Sequence, residues 1–354
     1  MRSLVALCFG LCLLAGTPQT ARAQTPDGSE ATTVEEVVVL ARRSGAPMWE
    51  ITLGGNTLIL VGEIRGVPEA TPWRPDALET ATLRADRVIS GMRVRASVSD
   101  LFRLIWRSRT LTRLPGDTTS ADYLTPEWQA RLDALEALHR QDYSRQSFLI
   151  ASSDLLTDRL RFNRDTTEDA GDVVNRAARR GRIPVESIAV ARGDELLENL
   201  LTAPPETLAP CMTAAIAATE AGPEGLVARG QAWTRFHVPA VLASPLQIAL
   251  GQCWPWGDPT LGPQLKAAWL EAIDAALAQD GTTMAVAPLT VLAEPGGVLD
   301  ALEARGFEVD GPEWKADRAD TAPVAAGTPD SPRTGPDGPE SPEAPAVESP
   351  SGAG

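Results

Sequence analysis

Short apolar runs near the N-terminus predict a β-hairpin. Met48–Leu53 and Thr57–Val61 consist mainly of apolar and β-branched residues, and the tripeptide Gly54-Gly55-Asn56 separates them. Glycine and asparagine tolerate the left-handed backbone of tight turns, so this arrangement is typical of two strands joined by a hairpin. Further β-rich runs at Arg87–Ser90 and Thr283–Ala287 predict additional strands.

The middle of the chain carries apolar residues at helical spacing. Thr125 followed by Pro126 is a typical helix start. One face of the predicted helix then carries Trp128, Leu132, Leu135 and Leu138. Similar patterns predict helices at Pro75–Ala85, Phe148–Phe162, Asp172–Arg180, Leu265–Ala278 and Val298–Arg305.

The order of these elements predicts an α/β fold. Strands occur near both ends of the chain, and helices lie beside and between them. We therefore expect a mixed sheet built from N- and C-terminal segments, with a large, mostly helical middle insertion. The chain has 354 residues, of which 43% are hydrophobic, so residues 38–315 can form one large domain.

The first 23 residues have the pattern of a secretory signal peptide. Arg2 precedes the apolar run Leu4–Gly16, and the segment ends with Ala21-Arg22-Ala23. The alternative is a membrane anchor, but the run of 13 residues is shorter than the roughly 20 that span a bilayer. We expect cleavage before Gln24, export to the periplasm or the medium, and no stable membrane insertion. Residues 24–37 are polar and predict a flexible lead-in.

The C-terminal segment 316–354 differs from the rest of the chain in composition. It contains Ala, Pro, Ser, Gly, Asp and Glu, and its only larger apolar residues are Val324 and Val347. Such a composition cannot bury enough surface to offset chain entropy. We therefore expect a disordered, acidic, proline-rich tail.

The charge balance and the scarcity of histidine exclude several function classes. With 47 acidic against 32 basic residues, the formal net charge is -15, which argues against a nucleic-acid-binding surface. Only His139 and His237 are available as histidine ligands or bases. Because neither accompanies a Gly-x-Ser-x-Gly elbow, packing or surface roles are the favoured interpretation. The acidic run Asp165–Asp172 lacks calcium-loop spacing and is typical of a solvated helix start.

Two cysteines remain after signal cleavage. In an oxidising compartment, Cys211 and Cys253 favour one disulfide. The alternative is a pair of buried free thiols, because cysteine packs well as a small apolar residue.

The segment Leu58–Gly66 contains the most informative polar residues. A buried strand runs into Gly62, so the following residues lie at its carboxyl end, where open α/β sheets place their ligands. Glu63 and Arg65 are therefore candidates for a cleft. The alternative is a local ion pair of little energetic weight.

Several segments, taken in order, resemble the TraB/GumN family, which includes the Tiki-type proteases. Ala46–Ile51 resembles the family's opening tryptophan strand, and Thr57–Arg65 resembles its strand ending in Gly-x-x-His. Ala85–Ile89 resembles the strand that follows. Near the C-terminus, Ala285–Leu292 resembles the second histidine segment, and Arg305–Phe307 resembles the closing Gly-aromatic strand. The likeness spans residues 46–310.

The resemblance also implies which chemistry is missing. It implies that active members hold a divalent metal with two histidines and an acidic residue, and that the metal activates water. Here Arg65 and Val291 stand at the histidine positions, Ser90 or Gly91 at the first glutamate and Ala189 at a second glutamate. Arginine keeps its proton and repels a metal, and valine has no donor atom.

We therefore expect an exported, catalytically inactive TraB/GumN-like protein without a catalytic residue, metal or cofactor. The expected cleft of Glu63, Arg65, Ser90 and Val291 binds a small anionic ligand or a protein partner, since arginine suits bidentate recognition of carboxylates. The alternative is a metal-dependent hydrolase or peptidase whose site has moved to carboxylates such as Glu63, Asp86 and Glu294.

Overall fold

A computed structural model describes residues 29–95, 112–188 and 190–316. The predicted hairpin is present: β1 (Met48–Leu53) and β2 (Asn56–Glu63) pair in antiparallel register, with Met48 opposite Val61. Its turn needs glycine, because Gly54 and Gly55 have φ angles of 60° and 94°. The C-terminal strand β7 (Thr282–Pro288) lies parallel to β2, so the two ends of the chain meet in the sheet.

The main sheet has five strands in the order β1-β2-β7-β3-β5. β3 (Arg87–Ser90) and β5 (Val185–Ser187) are parallel to β7, so only β1 is antiparallel to its neighbour. A separate parallel pair joins β4 (Arg93–Arg95) to β6 (Val190–Arg192). The predicted mixed α/β architecture is thereby confirmed.

Helices cover both faces of the sheet. On one face, Thr82 of α2 (Pro75–Thr82) contacts the sulfur of Met284, and α5 (Ala170–Gly181) contacts α2 and the strands. On the other face, α10 (Leu261–Leu277) receives a hydrogen bond from Asn56 at its last carbonyl. Since adjacent residues of a strand point to opposite faces, both layers bury apolar side chains against the central strands.

The N-terminal helix α1 (Ser29–Arg42) corrects the predicted lead-in. The segment 24–37 was expected to be flexible, whereas the helix begins at Ser29 and buries Val37 and Val38 in the core of the sheet. The helix forms because its apolar residues pack against the sheet. Val37, Val38 and Ala41 form one buried helical face despite the acidic residues beside them.

The predicted middle insertion is mostly helical and has its own core. It includes α3 (Pro126–His139), α4 (Phe148–Ser153) with a π-helical turn at Asp154–Arg159, and α9 (Pro245–Gln252). The long helix α7 (Pro205–Thr234) bends at Gly222 before Pro223. Its first part packs in the insertion, and its last turns pack against the sheet.

The predicted disulfide is present within this insertion. Cys211 of α7 and Cys253, which caps α9, are joined at an S–S distance of 2.04 Å. The remaining described elements are a 3₁₀ turn (Ser120–Asp122), α6 (Gly193–Thr202), α8 (Val238–Leu242), α11 (Leu289–Ala293) and α12 (Val298–Ala304).

Among the residues that the structure describes, no helix has both the length and the apolar character needed to cross a bilayer. The predicted signal peptide, residues 1–23, and residues 317–354 of the predicted tail lie outside the described part of the chain.

Candidate functional site

The carboxyl ends of β2, β7, β3 and β5 lie at one edge of the sheet, because these four strands are parallel. Glu63, Ser90 and Ser187 end three of these strands and point to the same face, as the pairing register shows. Glu63 and Ser90 are separated by β7 and offset by two residues along the strands, which places them about 12 Å apart. The edge therefore carries a row of polar side chains.

Glu63 is held by the start of helix α5. Its carboxyl oxygen Oε2 accepts a hydrogen bond from the backbone N–H of Gly171 at 2.9 Å. The pKa of Glu63 is raised to about 7, chiefly by burial and next by the neighbouring Asp169 carboxylate. The Gly171 N–H and the Arg65 charge lower that pKa and offset part of the rise.

Asp169 precedes α5 and binds the loop that follows β2. Its Oδ1 accepts a hydrogen bond from the backbone N–H of Gly66 at 3.0 Å. Burial also raises the pKa of Asp169, while the Gly66 N–H and the Arg65 charge lower it. Glu63 and Asp169 thus form two reciprocal links between the end of β2 and the start of α5.

Arg65 is the exposed cation of this edge. Its side chain lies at the surface, two residues beyond the last residue of β2. Within the described residues, its guanidinium forms no hydrogen bond or ion pair. Its charge lowers the pKa values of both Glu63 and Asp169, so the three groups share one electrostatic environment. The alternative of a local contact ion pair between Glu63 and Arg65 does not describe this geometry.

A second arginine lies beneath the same loop. Arg229 of α7 is 1% exposed, and it donates hydrogen bonds to the carbonyl oxygens of Arg65 and Gly66 and to Oε1 of Gln247. Burial lowers its pKa to about 10. One turn later, Trp233 donates from Nε1 to the carbonyl of Gly62 at 2.9 Å.

The other sequence-predicted site residues divide between the edge and the core. Ser90 is half-buried at the end of β3 and belongs to the polar row. Val291 lies on α11, directly after β7, but it is 1% exposed and packs in the core. Its side chain is therefore part of the packing beneath the edge. Gly91 is exposed beyond β3, and Ala189 lies outside the described residues.

The carboxylates considered for a relocated hydrolase site do not come together. Asp86 accepts a hydrogen bond from the N–H of Thr282, at the amino end of β7. This position is about 20 Å from Glu63 along the strands. Glu294 forms an ion pair with Lys266. Of these three acids, only Glu63 lies in the polar row.

The residues at the edge do not fit a divalent metal. Arginine has no lone pair for a metal, and buried Val291 offers no donor atom. Across residues 29–95, 112–188 and 190–316, no group of three His, Cys, Asp or Glu side chains is placed to hold a metal ion. Glu63 and Asp169 supply oxygen atoms, but among the described residues no third ligating side chain joins them.

Sequence reasoning did not identify Asp169 and Arg229 as parts of this edge. The acidic run around Asp169 predicts a solvated helix start, and Asp169 does lie directly before α5. Its bond to Gly66, however, joins residues 103 positions apart. The spacing of Arg229 and Trp233, four residues apart on one helical face, was the available signal for a shared role.

Comparison with known proteins identifies the family. Residues 47–311 match the model of the TraB/PrgY/gumN family. No curated protein matches the chain significantly, and no solved structure does so either.

Proposed function

The chain belongs to the TraB/PrgY/gumN family, and we propose that it is an exported member that has lost metal-dependent hydrolysis. In place of that chemistry, the edge of the sheet binds an anionic group of a small ligand or of a protein partner. Export rests on the signal pattern of residues 1–23 and implies a periplasmic or secreted protein.

The observation that carries this proposal is the guanidinium of Arg65. It is exposed at the carboxyl end of a central strand and forms no bond with the described residues. It also stands where the family resemblance expects the first histidine. An arginine in this position presents a planar set of donors that matches a carboxylate or another oxyanion.

Two features leave the Arg65 guanidinium available to an anion, although the Glu63 and Asp169 carboxyl groups act against an anion when ionised. The start of α5, a helix of 12 residues, points towards this edge and adds a partial positive charge. The nearby carboxyl groups form no ion pair with Arg65; Glu63 accepts from Gly171, and Asp169 accepts from Gly66. Neither carboxyl group neutralises the guanidinium by direct contact.

A relocated hydrolase site remains the second candidate function, and one observation favours it. The pKa of Glu63 is raised to about 7, which suits a general acid or base near neutral pH. The distance of Asp86 and the ion pair of Glu294 mean that such a site would depend on Glu63 and Asp169.

Titration of the purified chain with sulfate and with succinate tests the proposed anion site. We expect saturable binding of at least one of these probes, and we expect Arg65→Gln to weaken it about tenfold or more. Arg140→Gln, at an exposed arginine in the middle insertion, is the matched control and should bind as the wild type does. Equal binding by the Arg65→Gln variant, or none by the wild type, would contradict the proposal.

A further inference from the structure

The peptide group between Arg65 and Gly66 is held from both sides. Asp169 accepts from its N–H at 3.0 Å, and Arg229 donates to its carbonyl oxygen. The same Arg229 nitrogen also reaches the next carbonyl, that of Gly66, at 3.1 Å. These contacts fix the plane of the peptide group, and with it the direction in which the Arg65 side chain leaves the backbone.

Gly66 allows the loop after β2 to pass close to the backbone of Phe162. Its φ angle is +68°, and a Cβ atom at this position would lie 2.3 Å from the carbonyl oxygen of Phe162. Glycine adopts this φ without strain, whereas a residue with a Cβ atom would clash with Phe162, so the loop can pass this close only with glycine here. Arg229 and Asp169 are the described side chains that bind this peptide group.

Arg229 is itself held in place by α9. Its second terminal nitrogen donates to Oε1 of Gln247 at 3.0 Å, and Gln247 is 3% exposed. The Nε atom of Arg229 has no partner within the described residues. The guanidinium is therefore positioned by its two terminal nitrogens, between a side chain of the helical insertion and the loop after β2.

We propose that Arg229, set by Gln247, is a positioning residue for Arg65 and fixes the guanidinium over the edge of the sheet. This inference rests on the proposed anion site. Because Arg229 is buried, it does not meet the ligand, and it acts through the Arg65–Gly66 peptide group. The helical insertion thereby determines the geometry of a site on the sheet.

Chemical rescue distinguishes this positioning role from a merely structural one. The probe is sulfate, titrated into the full chain without its predicted signal peptide. We expect Arg229→Ala to weaken sulfate binding about tenfold and millimolar guanidinium to restore it, since the free ion fits the space that the side chain leaves. Guanidinium should not restore Arg65→Gln, whose side chain leaves no buried space.

Two further variants keep the inference testable if Arg229→Ala does not fold. Arg229→Lys retains the positive charge but not the two-pronged geometry, and we expect about threefold to tenfold weaker sulfate binding. Gln247→Leu leaves Arg229 intact, and we expect a loss in the same range.

The outcomes separate the two proposals. Wild-type affinity in the folded Arg229→Lys and Gln247→Leu variants, with Arg65→Gln still impaired, overturns the positioning role and leaves the proposed function in place. A weakened Arg229→Ala protein that guanidinium does not restore also overturns it. Succinate replaces sulfate as the probe if it alone binds the wild type; if neither binds, or if the probe binds Arg65→Gln equally well, the proposed function fails first.

Discussion

The carboxyl group of Glu63 accepts a hydrogen bond from the backbone N–H of Gly171 across 108 positions of sequence. This contact joins the end of a central strand to the first turn of a helix that covers the sheet. It also places a titratable group where burial and the Asp169 charge disfavour its ionised form.

The stability of the fold should consequently depend on the ionisation of Glu63. Its pKa is about 7 in the folded chain and near 4.5 when unfolded, so the folded state binds the proton more tightly. The resulting stabilisation is complete below pH 4.5 and is lost as the pH rises through 7. We expect the wild type to lose about 1–3 kcal/mol relative to Glu63→Gln between pH 5 and pH 8.

Urea unfolding of both proteins at the two pH values measures this difference. The comparison isolates Glu63, because Asp169, Asp172 and Arg65 remain in both proteins. Parallel pH profiles for the wild type and the variant would show that Glu63 has an ordinary pKa.

Gly66 should be the least replaceable glycine near the proposed site. In Gly66→Ala, the added Cβ would lie 2.3 Å from the Phe162 carbonyl oxygen, at a φ angle of +68°. We expect a loss of about 3 kcal/mol or more in unfolding free energy. Gly116→Ala is the matched control, since its φ is +59° with nothing within 4 Å, and it should cost about 1 kcal/mol. Equal losses in the two variants would contradict the close approach at Gly66.

Much of the fold could be predicted from local pattern, whereas the site depended on contacts that no local pattern contains. The apolar runs and the Gly54-Gly55 turn predicted the hairpin, and helical spacing predicted α3. The contact of Arg229 with Gly66 spans 163 residues, and it depends on how α7 bends and returns to the sheet. No periodicity of apolar residues shows that a buried arginine will bind backbone carbonyls.

Helix α1 shows that local composition can also fail to predict a helix. The polar composition of residues 24–37 predicts a flexible lead-in where the helix begins. Burial of Val37 and Val38 against the sheet outweighs that local polarity. Tertiary packing of this kind decides helix formation more often than intrinsic propensity does.

Reduction of the disulfide should destabilise the helical insertion. The bridge joins residues 42 positions apart and links α7 to the end of α9. In the chain-entropy model, closing a loop of this length contributes about 3–4 kcal/mol. We expect Cys211→Ser with Cys253→Ser to lower the unfolding free energy by about that amount. The same unfolding energy in the double variant and in the oxidised wild type would contradict a stabilising bridge.

Replacing the residue with a left-handed backbone conformation at the end of α3 should stabilise the fold. Arg140 caps this helix with a φ angle of 54°, a conformation that glycine adopts at little cost. We expect Arg140→Gly to raise the unfolding free energy by about 0.5–1 kcal/mol. Arg140→Ala removes the same side chain but keeps Cβ, so it is the control and should give no gain. A loss of stability in Arg140→Gly would contradict backbone strain at this cap.

Metal content and peptide hydrolysis, measured together on the full chain without its predicted signal peptide, test the loss of family chemistry most directly. The protein would be incubated with manganese, cobalt or zinc, freed of excess ion and assayed with and without a chelator. With Arg65 exposed at the edge and Val291 buried beneath it, we expect less than stoichiometric metal and no chelator-sensitive turnover. One bound metal per chain, together with turnover that the chelator abolishes, would contradict the proposed inactive site.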